Sequence, residues 1–196
     1  MEVDWEVELG GAAPVIEAYW HGFVDLRNLA THSGPACGDA GLDRTGEIAE
    51  VANFPPLAEL LRRLNAPKSS FWTSKCDVWE ASAQELGVGA GEIGLACYVD
   101  LLPIEGTVYP SLREAEDACR GLVARIAAGK GENCRVDLVI RAAIAGNKEG
   151  LGITAYIGAG GADRGDAELA LAKAMAVFAD AIPPTRLPLE ALESCN

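Results

Sequence analysis

Histidine, basic residues and aromatic residues are all scarce in this chain of 196 residues. It contains two histidines, 16 lysines and arginines against 29 aspartates and glutamates, and only 6% aromatic residues. The formal net charge of −13 repels phosphate groups, which argues against general binding to nucleic acid or to an anionic membrane surface. The same charge favours a cationic partner, or simply keeps the protein dispersed in solution.

The sequence also lacks the features that direct a chain into or across a membrane. No stretch of eighteen apolar residues is present, and a membrane-spanning helix needs a stretch of that length. The acidic start, with Glu2, Asp4 and Glu6, differs from the basic first region of a secretory signal. We therefore expect a cytoplasmic protein.

Paired cysteine motifs are missing, although the chain has six cysteines. No Cys-x-x-Cys pair and no zinc-finger spacing occurs, so the sequence predicts no metal site. Cys76, Cys97 and Cys119 fall at apolar positions of predicted strands or of a predicted helix. Because a reduced cysteine behaves as a small apolar residue, we expect these thiols to lie in the core without disulfides.

Motifs that would name a reaction are absent as well. The chain has no G-x-S-x-G, H-E-x-x-H, EF-hand or kinase pattern. A glycine-rich stretch at 158–161 precedes a predicted helix but lacks the G-x-G-x-x-G spacing of a nucleotide site. Asp163 and Asp166 follow it, and they would repel phosphate, so we interpret them as helix caps. The sequence predicts no cofactor and leaves open whether the protein is an enzyme.

Alternation of apolar and polar residues predicts six strands. Val3, Trp5, Val7 and Leu9 alternate with acidic residues, as in a strand with one buried face and one wet face. The predicted strands cover residues 2–9, 15–26, 71–80, 93–102, 135–144 and 151–157. Gly10-Gly11 and the 146–150 stretch are typical of hairpin connections between adjacent strands.

Three helices are predicted between these strands. The first covers 56–65, and the second begins with an S-x-x-E capping box at Ser111 and Glu114. The third follows Asp163 or Asp166 and ends before Pro183. The order ββαββαββα favours an α+β protein: a two-layer sandwich with a mostly antiparallel sheet of six strands and three helices on one face.

Two arrangements of the strands fit this order. Residues 15–144 have the βαββαβ order of a ferredoxin-like arrangement, which would put strand 15–26 in the centre of the sheet. Alternatively, three hairpin-plus-helix units follow one another, and strand 2–9 pairs with strand 15–26. We expect residues 1–182 to form a single domain, followed by an irregular tail at 183–196.

One face of the predicted sheet carries an unusual mixture of ionisable and aromatic residues, and we refer to it as the polar-aromatic face. This face is exposed to solvent if the alternate side chains, which include Ile16 and Ala18, pack against the helices. Aromatic side chains are costly to leave in water, which suggests a binding surface. The predicted binding residues are Glu17, Tyr19, His21, Asp25, Lys75, Asp77, Tyr98, Asp100, Arg141 and Tyr156. The face also includes Phe23, Thr73, Trp79, Arg135, Asp137 and Thr154.

The stretch 28–52 has no apolar periodicity and is long for a loop, which is typical of functional or disordered loops. It contains His32, Cys37 and Asp39, and His21 lies on the preceding strand. A histidine beside a carboxylate can act as a general base, and an exposed thiolate can act as a nucleophile. These four residues are the candidate catalytic residues, although no catalytic motif links them.

The leading hypothesis is a non-catalytic, acidic binding protein that uses the polar-aromatic face and the 28–52 loop. Its partner would be a cationic protein or a second copy of itself. The alternative is a small hydrolase or transferase with His21 or His32 as the base and a nearby carboxylate or metal ion as its helper. A small-molecule ligand held between the sheet and the helices is a third option.

Overall fold

Six strands form one mixed sheet in the computed structural model, which describes residues 1–18, 26, 44–88, 93–105 and 107–185. The strands are β1 (Glu2–Glu8), β2 (Ile16–Ala18), β3 (Phe71–Ser82), β4 (Ile93–Pro103), β5 (Cys134–Ala145) and β6 (Lys148–Gly161). The described helices are α1 (Ala49–Asn53), α2 (Pro56–Leu64), α3 (Leu112–Ala127) and α4 (Arg164–Ala181), and a short 3₁₀ helix covers Thr45–Glu47. The predicted α+β class is confirmed, with one more helix than expected within the described residues.

The two long helices begin where the sequence predicts them. At the start of α3, the Ser111 hydroxyl accepts the backbone N–H of Glu114 at 3.3 Å and donates to its carboxylate at 3.2 Å. At the start of α4, the Asp163 carboxylate accepts the N–H of Asp166 at 2.9 Å. Both caps satisfy N–H groups that the first helical turn leaves without a partner. The predicted capping by Ser111 and by Asp163 is therefore confirmed.

The strand order across the sheet is β1-β5-β6-β4-β3, and β2 pairs with β5 beyond the end of β1. The pairs β5-β6, β6-β4 and β4-β3 are antiparallel. In contrast, β1 and β2 run parallel to β5. The sheet is therefore open and mixed, and it is mostly antiparallel as predicted.

The predicted hairpin between β1 and β2 is wrong. β1 pairs with residues 135–141 of β5, and β2 pairs with residues 143–145 of the same strand. The chain therefore continues along one edge of β5 after Gly10-Gly11 instead of turning back. This pairing lets the apolar side of β1, including Val3 and Trp5, pack against the main core.

The ferredoxin-like arrangement is also not observed among the described strands. It would require the strand that begins near residue 15 to lie between β5 and β4. That position is occupied by β6, and β2 lies at the edge of the sheet. The long antiparallel pairing of β6 with both β4 and β5 fixes this order, and a sequence pattern contains no information on which strands pair.

Two similar hairpin-plus-helix units build the rest of the sheet. β3 and β4 form one hairpin followed by α3, and β5 and β6 form another followed by α4. The second hairpin turns through Gly146, whose φ of +64° is a left-handed conformation that favours glycine. Because β4 and β6 are neighbours, the two units meet at the centre of the sheet. Residues at equivalent positions of the two hairpins therefore lie next to each other, on β4 and on β6.

The main core lies between one face of the sheet and the helices. Alternate residues of the central strands are completely buried there, for example Val99 and Leu138. Leu61 of α2, Leu122 of α3 and Phe178 of α4 belong to the same cluster. The helices in the described part of the chain thus bury their apolar sides against this face.

A second, smaller cluster of buried residues lies on the opposite face, at one end of the sheet. Its members are Ile16, Ala18, Trp72, Leu102, Val108, Ala143 and Ala145. The prediction that Ile16 and Ala18 face the helices is therefore wrong, because β2 pairs in register with Ala143 and Ala145. Gly152 gives Ile16 the space it needs, since a Cβ there would lie 2.9 Å from Ile16 Cδ1. This cluster covers only one end of the polar-aromatic face.

The chain after α4 returns to the start of β3. The Thr185 N–H donates to the Lys68 carbonyl at 2.8 Å, and Pro184 forms a bridge with Ser69. Residues 186–196, which make up most of the predicted tail, lie outside the described residues. Of the helices that are described, none is both long enough and apolar enough to cross a membrane.

The predicted core thiols are confirmed. Cys97 and Cys119 are buried, Cys76 is half-buried against the main core, and all three are free thiols. Burial raises the pKa of the Cys119 thiol to about 12, and burial together with nearby carboxylates raises the pKa of Cys76 to about 12. These thiols stay protonated near neutral pH, which makes them poor nucleophiles.

Candidate functional site

Strand register aligns polar and aromatic side chains in a row across the polar-aromatic face. Asp77 of β3, Tyr98 of β4, Tyr156 of β6 and Asp137 of β5 are successive partners in this row. Asp4 extends the row onto β1. Each hairpin contributes one aspartate and one tyrosine, so two tyrosines lie side by side at the centre with a carboxylate beyond each of them.

Three aromatic rings meet at the centre of the face, and we refer to Trp79, Tyr98 and Tyr156 as the aromatic triad. The ring centroids of Trp79 and Tyr98 are 6.4 Å apart, those of Trp79 and Tyr156 are 6.3 Å apart, and those of the two tyrosines are 6.0 Å apart. The Trp79–Tyr156 contact is edge-to-face. All three side chains are half-buried, so part of each ring remains accessible. The Arg141 guanidinium already lies over the Tyr156 ring, 5.4 Å from its centroid, which leaves Trp79 and Tyr98 for an outside cation.

A hydrogen-bonded network crosses four strands beside the triad. Arg141 of β5 donates to the Glu8 carboxylate on β1 at 2.5 and 2.9 Å, and to the Tyr156 hydroxyl at 2.9 Å. It also donates to the Thr154 hydroxyl at 3.4 Å, and Thr154 in turn donates to Asp100 of β4 at 2.6 Å. The Arg141 side chain is only 11% exposed. The network therefore fixes the orientation of Tyr156 in the triad.

Burial changes the protonation behaviour of two groups in this network. Asp100 is only 6% exposed, and this burial raises the pKa of its carboxyl despite the Thr154 hydrogen bond and the charges of Arg141 and Lys75. Burial, reinforced by the negative charges of Asp100 and Asp77, raises the pKa of Tyr98 to about 12. The Tyr98 phenol therefore stays neutral near pH 7, and its ring keeps its ordinary affinity for cations.

A β-bulge changes which face of the sheet the side chains of β3 point to. The register with β4 shifts between Thr73 and Cys76. Thr73 accepts a hydrogen bond from Asn65 at 2.8 Å on the helical side, so its predicted place on the polar-aromatic face is wrong. After the bulge, Asp77 and Trp79 lie on the polar-aromatic face, opposite Tyr98 and Ala96 of β4. The bulge adds one residue to β3, so the side chains before and after it do not follow one continuous two-residue alternation.

Lys75 lies within the bulge, at the margin of the face. Its Nζ is 3.8 Å from the Glu17 carboxylate, and both side chains are well exposed. Glu17 pairs in register with Ile144, and its carbonyl accepts the Ser74 hydroxyl at 2.8 Å. The predicted residues Lys75 and Glu17 therefore meet at the margin of the sheet. Because Ile16 and Ala18 lie on the polar-aromatic side, Glu17 between them leaves β2 on the helical side, and its predicted place on the polar-aromatic face is wrong.

Carboxylates outnumber cations on the described part of the face. The cations are Arg135, which makes a bidentate pair with Asp137 at 2.7 and 2.8 Å, together with Arg141 and Lys75. Within the described ranges, three exposed carboxylates have no cation within 4 Å: Asp4, Glu6 and Asp77. The buried Asp100 also has none that close, and it is bonded to Thr154 instead. A groove of about 480 Å³ between β1 and the triad is lined by four carboxylates and two arginines, besides Tyr156 and other residues: Asp4, Glu6, Glu8, Asp137, Arg135 and Arg141. This surface presents negative charge beside accessible aromatic rings.

The structure brings four of the predicted binding residues into one connected group: Tyr98, Asp100, Arg141 and Tyr156. Asp77 lies beside it, and Lys75 and Glu17 lie at its margin. The remaining predicted binding residues, Tyr19, His21 and Asp25, lie outside the described residues. The candidate catalytic residues His21, His32, Cys37 and Asp39 lie outside them as well.

Sequence reasoning missed one member of the network, Glu8. The alternation in β1 puts Glu8 on the polar side of its strand, but only the pairing of β1 with β5 brings it to Arg141. Among the residues that the structure describes, no group of three or more histidine, cysteine, aspartate or glutamate side chains could hold a metal ion. The described chemistry of the face is therefore that of aromatic rings, hydrogen bonds and negative charge.

Comparison with known proteins adds no assignment: no protein-family model matches this chain, and no curated protein or solved structure matches it either.

Proposed function

We propose that this chain is a non-catalytic binding protein that holds a cationic protein partner on its polar-aromatic face. The observation that carries the proposal is the aromatic triad with Asp77 and Asp137 on either side of it. An aromatic ring attracts a lysine or arginine cation over its face, and a carboxylate nearby adds a charge-assisted hydrogen bond. A lysine or arginine side chain of the partner would use both contacts at once.

The free carboxylates around the triad support this proposal. Asp4, Glu6 and Asp77 have no cation within 4 Å in the described ranges. A partner's cation could therefore pair with them without first breaking an ion pair in the free protein. The net charge of −13 would also attract a basic protein over longer distances.

The described end of the 28–52 stretch forms the 3₁₀ helix and most of α1 instead of the predicted loop, and it extends the proposed surface. Glu47, Ile48 and Glu50 line a cavity of about 400 Å³ together with Lys75 and Tyr98. Glu50 adds negative charge there, whereas the charge of Glu47 is offset by its ion pair with Arg44 at 2.7 Å. The partner would contact this segment together with the sheet.

A cationic partner is favoured over a second copy of this chain. A symmetric dimer through this face would bring the unpaired carboxylates of one copy close to those of the other, and like charges repel. We also propose that the fold is a two-layer sandwich, because the helices that join the main core pack on the face opposite the triad. The proposal also includes a cytoplasmic location, where free thiols such as Cys97 stay reduced.

Trp79→Leu is expected to weaken the binding of an arginine-rich peptide about tenfold, because it removes the cation–π contact but keeps an apolar side chain on β3. Asp77→Asn is expected to weaken binding about threefold, since it removes one carboxylate with little change in shape. Isothermal titration calorimetry with the same peptide measures both effects. Nuclear magnetic resonance should show the largest shift at the Trp79 indole N–H.

The matched control is Glu80→Gln on the same strand. Glu80 pairs in register with Leu95 of the main core, on the face opposite the triad, and accepts a hydrogen bond from Arg164 at 2.7 Å beside the start of α4. This variant should bind the peptide as the parent protein does. Equal losses in Glu80→Gln and Asp77→Asn would mean that the peptide senses only the total charge, and unchanged binding by Trp79→Leu would contradict the proposed site.

A further inference from the structure

A second cavity, of about 410 Å³, lies between α3, the end of β4 and the chain that follows α4. The buried side chains Phe71, Val108 and Leu122 form its apolar base. None of its lining residues belongs to the aromatic triad or to the Arg141 network. Small organic ligands occupy cavities of this volume when they are mostly apolar and contain a few polar groups.

A glycine in the middle of α3 forms part of the cavity wall, at a position where only a side chain larger than a methyl group would enter the cavity. Gly121 lines the cavity, and a Cβ built on it would meet no heavy atom within 4 Å. Glycine weakens a helix interior relative to alanine, so local helix stability does not explain this residue. Its effect on the structure is to leave space above Leu122.

Two hydroxyl groups in the cavity wall lack partners. The Ser70 Oγ and Thr185 Oγ1 atoms are buried and make no hydrogen bond within the described part of the protein. Both residues line the cavity. A buried hydroxyl without a partner is unfavourable, and such groups in a native fold commonly indicate a bound water or a ligand.

We propose that this cavity binds a small organic amine that has an apolar body. The apolar body would contact Phe71, Val108 and Leu122. Its ammonium group would donate to the hydroxyl oxygens of Ser70 and Thr185 after a χ1 rotation turns them toward the cavity. The charged side chains that line the cavity are Glu105, Glu114 and Asp117 together with Arg125, and Asp117 is already paired with Arg120 at 3.0 Å. This excess of carboxylates selects a cation over an anion of the same shape.

The test is a titration of the full chain with 2-phenylethylamine, compared with 3-phenylpropanoate as the anion of similar shape. We expect the amine to shift the backbone amide signals of Ser70, Gly121 and Leu122, and the anion to leave them unchanged. Gly121→Leu should abolish these shifts because its side chain fills the cavity, and Gly121→Ala should retain them. Ser70→Ala should weaken amine binding about fivefold.

The same titration in the Trp79→Leu protein separates this site from the polar-aromatic face. Amine binding at the cavity should persist there unchanged. Gly121→Leu should fold about as stably as the parent protein, because leucine favours a helix interior over glycine and a Cβ there meets no atom within 4 Å. Shifts that persist in Gly121→Leu, equal binding of 3-phenylpropanoate, or no shift with the amine would each overturn the proposal.

Discussion

Gly161→Ala is expected to lower the free energy of unfolding by about 3 kcal/mol, at the upper end of the range for added volume in a packed interior. A Cβ on Gly161 would lie 2.3 Å from the backbone nitrogen of Ala167 and 2.7 Å from the backbone carbonyl carbon of Asp166. Backbone atoms cannot rotate away as a side chain can, so the start of α4 would have to move. That movement would disturb the packing of Phe178, which is completely buried. Urea denaturation followed by circular dichroism measures the change.

The matched control for this prediction is Gly158→Ala, three residues earlier on β6. A Cβ on Gly158 would meet only the Leu86 side chain, at 3.6 Å or more, which is ordinary contact. We expect this variant to change the free energy of unfolding by no more than about 0.5 kcal/mol. If both variants lost the same stability, the cause would be the strand conformation rather than the close approach of α4.

These two glycines explain what the glycine-rich stretch does. From sequence, 158–161 follows the last predicted strand residue and precedes a helix, and glycines of that kind are read as a turn. In the structure β6 extends to Gly161, and α4 packs directly on the end of the strand. The close contact depends on tertiary packing, which a local pattern of glycines does not specify.

Local patterns predicted the elements well but not their pairing. Period-two alternation located β1, β3, β4, β5 and β6, and capping residues located the starts of α3 and α4. Of the predicted strand 15–26, only residues 16–18 form a described strand, and residues 19–25 lie outside the described ranges. Partner choice depends on contacts between residues far apart in sequence, such as Glu2 with Arg135 and Ile16 with Ala143. For this reason the β1-β2 hairpin and the facing of Ile16 were predicted wrongly. The bulge after Thr73 also caused a wrong prediction. One extra residue in a strand moves every side chain before it to the opposite face of the sheet.

The candidate site was predictable to the extent that it depends on alternation. Tyr98 and Asp100 share a face because they are two residues apart on β4, and the same holds for Thr154 and Tyr156 on β6. The contacts of these side chains with Arg141 depend on the register of β4, β5 and β6. Sequence reasoning therefore predicted the members of the face without the network that connects them.

Arg141→Met is expected to lower the free energy of unfolding by about 3 kcal/mol near pH 7. Methionine fills a similar volume, but it cannot donate to Glu8, Thr154 or Tyr156 as Arg141 does. Asp100 would then lose the nearby positive charge of Arg141 while staying buried. Chemical denaturation of the variant and the parent protein measures the difference. Arg164→Met is the matched control, because the Arg164 side chain is 62% exposed and its ion pairs should contribute less than about 1 kcal/mol.

The cost of Arg141→Met should also depend on pH, through Asp100. The folded-state pKa of Asp100 is raised above its ordinary value of 3.8, so the folded protein binds this proton more tightly than the unfolded chain does. The resulting stability is fully present below pH 3.8 and is lost as the pH rises through the folded-state pKa. Removing Arg141 raises that pKa further, because its positive charge favours the ionised carboxyl. The difference between variant and parent should therefore be smallest near pH 4 and largest at neutral pH.

A double-mutant cycle with Asp100→Asn separates the contribution of Asp100 from that of Glu8. With asparagine at position 100 no buried carboxyl remains to titrate, so Arg141→Met should cost at least about 1 kcal/mol less at pH 7 than it does in the parent protein. The part of its pH dependence that comes from Asp100 should disappear in that background. If Arg141→Met cost the same in both backgrounds, Arg141 and Asp100 would not be coupled. In that case Arg141 would stabilise the sheet through Glu8 and Tyr156 alone.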